Sequence, residues 1–233
     1  MTRIGLAAAG LGMAALLTAC GGGDDFTDQS GQKIADASKK AMKGLDAVKV
    51  AGTVTTDGQE IAIDVQTNDQ GDCTGSLGVG GGTTELLGVD GDVWFRPDEA
   101  FWRASAPDSA DQVIAAVGDK WVAVSSSDDS FGEFCDIDDL LDELISSDGD
   151  EDKTYSVKEV VEVDGDDAVP VDQKDDDGLS TGYVLVDEPH YLVKIEKTEG
   201  DDTGSVTFSE FDEDFDVTAP PEGDVISLDD LEG

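Results

Sequence analysis

Positive charge is what this chain has least of. Fourteen Lys and Arg stand against 55 Asp and Glu in 233 residues, a formal net charge of −41. That field repels a phosphate backbone, which excludes a nucleic-acid partner. It also disfavours direct adhesion to anionic lipid head groups. The plain role of such acidity is solubility. Histidine is nearly missing, with His190 alone, and there are three cysteines. Two distant cysteines and one histidine fall short of the four ligands of a zinc site, so no metal and no cofactor is assigned. Acidic residues, so abundant later, are absent before Asp24.

That acid-free start has a structure of its own. Arg3 supplies one positive charge, and Ile4 to Ala19 is 16 uncharged residues rich in Leu and Ala. The length is short for a transmembrane helix and suits a signal-peptide core. It closes on Leu17-Thr18-Ala19-Cys20, which looks like a lipobox. In that motif small residues fit the peptidase cleft and the Cys thiol receives a diacylglyceryl group before cleavage; an ordinary secretory signal is the blander alternative. Each buried methylene adds about 0.8 kcal/mol, and two chains anchor stably where one is marginal. Residues 1–19 are therefore expected to be a signal peptide and residues 20–25 a lipidated Cys20 with a flexible tether. Residues 26–221 are expected to be one domain and residues 222–233 a mobile acidic tail. The expected location is the extracytoplasmic face of the cell membrane, held by the lipid on Cys20. With Cys20 acylated, Cys73 and Cys135 form an even pair in an oxidising compartment, which points to one disulfide. Closing a loop of that length is worth about 4 kcal/mol in the chain-entropy account.

Periodicity organises the remainder. Phe26 to Val48 reads as an amphipathic helix, with Ile34, Ala37, Ala41 and Leu45 at spacings of three and four. Alternating strands follow, with turns expected at Asp57-Gly58, Gly80-Gly81-Gly82 and Asp90-Gly91. The middle changes period. A helix start is expected at Pro97 to Trp102, a second helix over Asp108 to Val117 capped by Gly118, and a third over Asp136 to Ile145. Lys120 to Val124 reads as a short strand or a packed connection. The two-residue period then resumes in Tyr155 to Val163, Ala168 to Val171, Tyr183 to Val186, Tyr191 to Ile195 and Val206 to Phe211. Asp164-Gly165 and Asp177-Gly178 fall at turns between them. Strands, then helices, then strands, without βαβ units, predict an α+β fold with a mostly antiparallel sheet. Some ten short strands are too many for a flat layer unless it curls. The expectation is a curved sheet, a half-barrel, with helices packed on its concave side.

Several stretches carry a family resemblance. They are the lipobox, Cys73-Thr74-Gly75, the run from Gly91 to Trp102 (GDVWFRPDEAFW), Asp119-Lys120-Trp121-Val122, Cys135 before a Leu-rich helix, and Val217-Thr218-Ala219-Pro220. On these the chain resembles the actinobacterial lipoproteins of the LppX/LprG type, whose fold is similar to LolA and LolB. The resemblance spans about Phe26 to Pro221. It implies helices across the mouth of the sheet and an apolar cavity that takes acyl chains of lipids or glycolipids. Leu77, Val93, Phe95, Trp102 and Leu141 are the candidate cavity residues. Trp94, Phe95, Phe101, Trp102 and Trp121 are equally what an ordinary core wants. The chain departs from the pattern in being more acidic than expected of a lipid carrier.

Two motifs invite sharper readings. Gly178-Leu179-Ser180-Thr181-Gly182 matches Gly-x-Ser-x-Gly, with Asp187 and His190 following in order. A nucleophile elbow needs Ser between a strand and a helix, whereas a turn is expected before this motif and a strand after it. Gln173, Asp175, Asp177 and Gly178 approach a calcium loop, but its first position is Gln and its terminal Glu position is Val184. The expected function is accordingly that of a non-catalytic, membrane-anchored lipoprotein binding or carrying an apolar ligand. The alternative is a cell-envelope interaction protein with a filled core and an acidic surface for a partner.

Overall fold

In the computed structural model, residues 25–56, 58–124, 131–145, 153–175, 178–200 and 203–227 are described. Cys20, the signal segment and Gly21 to Gly23 lie outside the described residues, as do Asp57, Asp177 and the acidic run up to Asp152. The chain opens with a 3-10 turn at Phe26–Asp28 and helix α1 at Gly31–Met42. Five strands follow: β1 Ala47–Thr56, β2 Gln59–Asn68, β3 Cys73–Val79, β4 Gly82–Val89 and β5 Asp92–Pro97. Helices α2 (Glu99–Ser105) and α3 (Ala110–Val117), strand β6 (Trp121–Ala123) and helix α4 (Ile137–Ile145) form the middle. Strands β7 Thr154–Val157, β8 Val161–Val163, β9 Asp166–Asp175, β10 Gly178–Leu185, β11 Leu192–Lys197 and β12 Thr203–Ser209 come next, and β13 Val225–Ser227 last. No helix among the described residues is long and apolar enough to cross a membrane.

The thirteen strands among the described residues belong to one mixed sheet, ordered β13-β6-β5-β4-β3-β2-β1-β12-β11-β10-β9-β7, with β8 also on β9. Every pairing is antiparallel except β13 with β6. The α+β class and the mostly antiparallel sheet stand, but the curved half-barrel with helices on a concave side is corrected. The sheet is neither curled nor closed, and its path stays open from β13 to β7. Strand number was a poor guide because hairpins add strands at an edge without bending the ladder. Bulges are what bend and close sheets, and the described ladders carry one register shift, at Tyr183/Val184.

Local chemistry accounts for the elements. At Asp90-Gly91 and Asp164-Gly165 both residues have positive φ, as a two-residue hairpin turn of the primed type requires. The carboxylate of Asp98 accepts from the Phe101 amide at 2.7 Å and starts α2; Pro97 itself stays in β5. Gly118, at φ 59, ends α3. Asp136 accepts from the amides of Asp138 and Asp139 at the head of α4. The first helix is shorter than its periodicity predicts. Val48, β-branched and fully buried, belongs to β1 instead. The expected strand over Tyr155 to Val163 is two, β7 and β8, both laid on β9. Beyond Pro221 the sheet continues, since β13 pairs with β6.

Residues directly opposite in a ladder share a face, so the registers sort the sheet into two. One face carries Val50, Val65, Phe208, Val206, Ile195 and Val171. Helix α1 packs there over β7, β9, β10 and β11, and α2 over β3, β4 and β5. Contact is close enough that a Cβ on Gly31 would stand 2.8 Å from Tyr155 Cβ, and one on Gly82 would overlap the α2 backbone. The other face is polar and ion-paired, with Lys49–Asp64, Arg96–Glu85, Lys158–Asp172 and Lys194–Glu196.

Candidate functional site

The apolar face is filled at one end of the sheet and hollow at the other. At the β3–β6 end the aromatic residues pack on one another. Phe95 stacks on Phe131 with centroids 4.4 Å apart, and Trp102 lies 6.0 Å from Phe95 and edge-on to Phe101. Leu77, Phe95, Trp102 and Leu141 are buried, and Val93 packs against the same cluster half-buried. Cys73 and Cys135 are joined beside them, Cα atoms 4.9 Å apart, tying β3 to the turn before α4. Gly88 leaves room for the bridge, since a Cβ there would meet both sulfurs within 3 Å. Thr67, fully buried, donates its hydroxyl to the Cys135 carbonyl at 2.9 Å.

The hollow lies at the opposite end, under α1. It is a cleft of about 320 Å³, within the range of small-ligand sites. Its floor is formed by β9, β10 and β11, with Val171, Val184, Leu192 and Ile195, and its rim includes Ile145 at the end of α4. A second cleft of about 240 Å³ adjoins it, sharing Lys39 and Ile145. Of the five residues expected to line a cavity, Leu141 lines this second cleft; Leu77, Val93, Phe95 and Trp102 line neither.

Helix α1 contributes the feature that periodicity missed. Its buried face is Gly31, Ile34, Ser38 and Met42, so a serine stands where Ala37 and Ala41 were expected to point inward. The Ser38 hydroxyl is buried, lines the cleft and has no hydrogen-bond partner among the described residues. Leaving a buried polar group unpaired costs about 1–3 kcal/mol, so this position is either a defect or half of an interaction with something bound. Lys39 lines the same cleft, as do Lys153 and Asp36. Four lysines fall between Lys33 and Lys43, a local excess that sequence inspection could have flagged against the acidic background.

Ser180 of the Gly-x-Ser-x-Gly match sits inside β10, opposite Gln173 and Lys197. His190 lies past the other end of that strand, its ring stacked on Phe26 and its Nδ1 3.2 Å from the Leu185 carbonyl. Five residues of strand, roughly 16 Å, separate Ser180 from Leu185, so no elbow brings the two side chains together. Among the described residues, no group of three or more His, Cys, Asp or Glu is placed to hold a metal ion.

No protein-family model matches the chain, and no curated protein matches it by sequence. Solved structures do. The crystal structure of LprF from Mycobacterium bovis is 17% identical over 82% of this chain and 96% of that one, with a TM-score of 0.55. That of the Mycobacterium tuberculosis lipoprotein LppX is 14% identical over 81% and 98%, with a TM-score of 0.52. The resemblance to LppX/LprG-type lipoproteins, with their LolA/LolB-like fold, therefore holds for the fold.

Proposed function

We propose that this chain, which shares the fold of LprF and LppX, is a lipoprotein anchored through Cys20 on the extracytoplasmic face of the membrane. Its role in this reading is to bind or carry an apolar ligand, lipid or glycolipid in class, without catalysing a reaction. The observation that carries the reading is the cleft under α1, roofed by a helix and floored by Val171, Val184, Leu192 and Ile195. Shedding an acyl chain from water onto such a floor is favourable by about 25 cal/mol per Å² of apolar surface. The leader ending at Cys20 and the fold likeness to a lipoprotein support the anchor. Cys73 and Cys135 serve as a staple, holding the filled end rigid while the α1 end stays hollow.

The test has two parts. Intact mass of the membrane form should show cleavage before Cys20 and a diacyl adduct, and Cys20→Ala should abolish both; an unmodified Cys20 in that form removes the anchor. A chain beginning at Asp24 keeps every described element and both bridged cysteines. It should extract fluorescent lipid from donor vesicles and pass it to acceptors. Transfer no faster than in protein-free buffer would favour the interaction-protein alternative, for which the self-packed aromatic cluster is the supporting observation.

A further inference from the structure

A glycine inside a strand leaves nothing to pack, and it often marks a bulge, a bend or the close approach of a ligand. Gly182 stands inside β10 and lines the cleft. Its φ lies outside the left-handed region, so the backbone there accepts any residue. Among the described residues a Cβ on it would meet only Leu192 Cδ1, at 3.2 Å, the end of a side chain that itself lines the cleft. Gly52 in the same row of the sheet differs, since a Cβ there would overlap the Ser205 and Val206 backbone. The nearby register shift pairs Tyr183 with Lys194 and Val184 with Leu192. The extra residue is therefore Val193 of β11, which asks nothing of Gly182. The fold does not require this glycine; what its missing side chain provides is depth in the floor.

The floor continues past the helix. Val171, Gly182, Ile195, Val206 and Gly52 stand opposite one another in a row across β9, β10, β11, β12 and β1, about 19 Å at the usual strand spacing. Helix α1 packs over β9, β10 and β11. From Ile195 a third cleft of about 80 Å³ runs on over β12 and β1, lined by Val54, Val206, Gly204, Thr203 and Lys197. In the first cleft most polar groups are already engaged. Gln173 donates to Asp175 at 3.2 Å, and Lys153 and Tyr155 have partners within the protein. The buried Ser38 hydroxyl has none among the described residues. The charges do not select an ion. Asp36 precedes Lys39 by three residues on one helix, near enough to offset it, and a net charge of −41 repels an anion on approach.

Resting on the apolar-ligand reading above, we propose that the cleft under α1 is the start of a groove across the sheet, which takes one unbranched alkyl chain carrying an uncharged ester. The ester carbonyl accepts a hydrogen bond from Ser38 Oγ. The chain sinks over Gly182 between Val171 and Ile195 and leaves α1 over Val206 towards Val54. Gly182 is the specificity-determining residue, because any side chain there occupies the path. One chain fits where two do not, since the groove narrows to the third cleft beyond Ile195.

The experiment titrates the chain beginning at Asp24 with methyl cis-parinarate, whose emission rises as it leaves water, and displaces it with methyl laurate, palmitate and arachidate. Binding should tighten with chain length, by up to about fourfold per buried methylene. Val54→Asn should cancel the gain of the longer esters and leave laurate unchanged. Gly182→Leu should weaken palmitate by about tenfold or more. Gly182→Ala should weaken it less while the urea midpoint holds or rises, which separates a binding role from a structural one and serves if the leucine variant fails to fold. Methyl palmitate should displace about fivefold better than hexadecane, and Ser38→Ala should erase that difference. A marked loss of stability in Gly182→Ala, or unchanged binding in both glycine variants, overturns the role of Gly182. Affinity that stops rising at laurate, or indifference to Val54→Asn, overturns the groove. Palmitate anion binding more tightly than its methyl ester overturns the uncharged ester. Failure of every ester while two-chain vesicle lipid is still transferred overturns this inference and leaves the broader function standing; failure of everything overturns both.

Discussion

At the scale of the residue, Ser38 separates stability from binding. Its buried hydroxyl has no partner among the described residues, so Ser38→Ala should raise the urea midpoint of the ligand-free protein, by about 1 kcal/mol of stability, while weakening ligand binding. A loss of stability instead would mean that the hydroxyl is bonded within the fold. Sequence inspection misread this position because a helix's apolar stripe is normally inferred from its apolar residues, and the stripe here is completed by a serine. A second residue-scale outcome concerns pH. In Asp172, burial works to raise the pKa, and hydrogen bonds from Lys158 and Thr181 outweigh it and hold the carboxyl below its ordinary value. The hydrogen bond from Lys194, then that from Tyr183, lowers Glu196. Folding favours the charged form of both, so they add stability above the ordinary carboxylate range and lose it as pH falls through their depressed values. Tyr183, donating to Glu196 and then partly buried, is pushed up to about 12, as is Tyr191 by burial and by its bond to Asp212. Their contribution is present below the ordinary tyrosine value and lost as pH rises towards 12. Denaturant midpoints across pH should therefore fall at both extremes, and Tyr183→Phe should blunt the alkaline fall.

At the scale of the element, short-range chemistry was legible and long-range geometry was not. The Asp90-Gly91 and Asp164-Gly165 turns, the end of α3 at Gly118 and the extent of α4 all follow from a few adjacent residues. The limits of α1 do not, because Val48 is taken by pairing with Thr67 of β2, a partner remote in sequence. Sheet curvature is remote in the same way, being set by register and bulges rather than by strand count. The cap of α2 gives a clean test. Asp98→Ala should destabilise by about 1 kcal/mol, as loss of a capping carboxylate does, read as a lower urea midpoint with an unchanged slope. The Cys73–Cys135 bridge gives another. A non-reducing peptide map should link the two cysteine peptides, and reduction should lower the unfolding midpoint as the open chain regains entropy. Two free thiols in exported protein would contradict the staple.

At the scale of the whole molecule, charge and hollowness are the two properties that matter. A net charge of −41 opposes compaction through self-repulsion. Raising salt from low to physiological ionic strength should therefore raise the thermal midpoint, as screening lengths shrink; a fall would place the surface ion pairs above the repulsion. Hollowness was beyond sequence, because a filled core and a lined cavity ask for the same residue types. The aromatic residues singled out for the cavity turned out to fill the β5 end, while the space lies under α1. What decides the function is whether that space holds a ligand. The decisive measurement is gentle native mass spectrometry of a chain beginning at Asp24, expressed in an actinobacterial host and purified without detergent. It should carry a fixed stoichiometric lipid adduct, which Val184→Asp depletes while the fold and the bridge persist. Wild-type protein that arrives without an adduct and acquires none from vesicles would contradict the central claim.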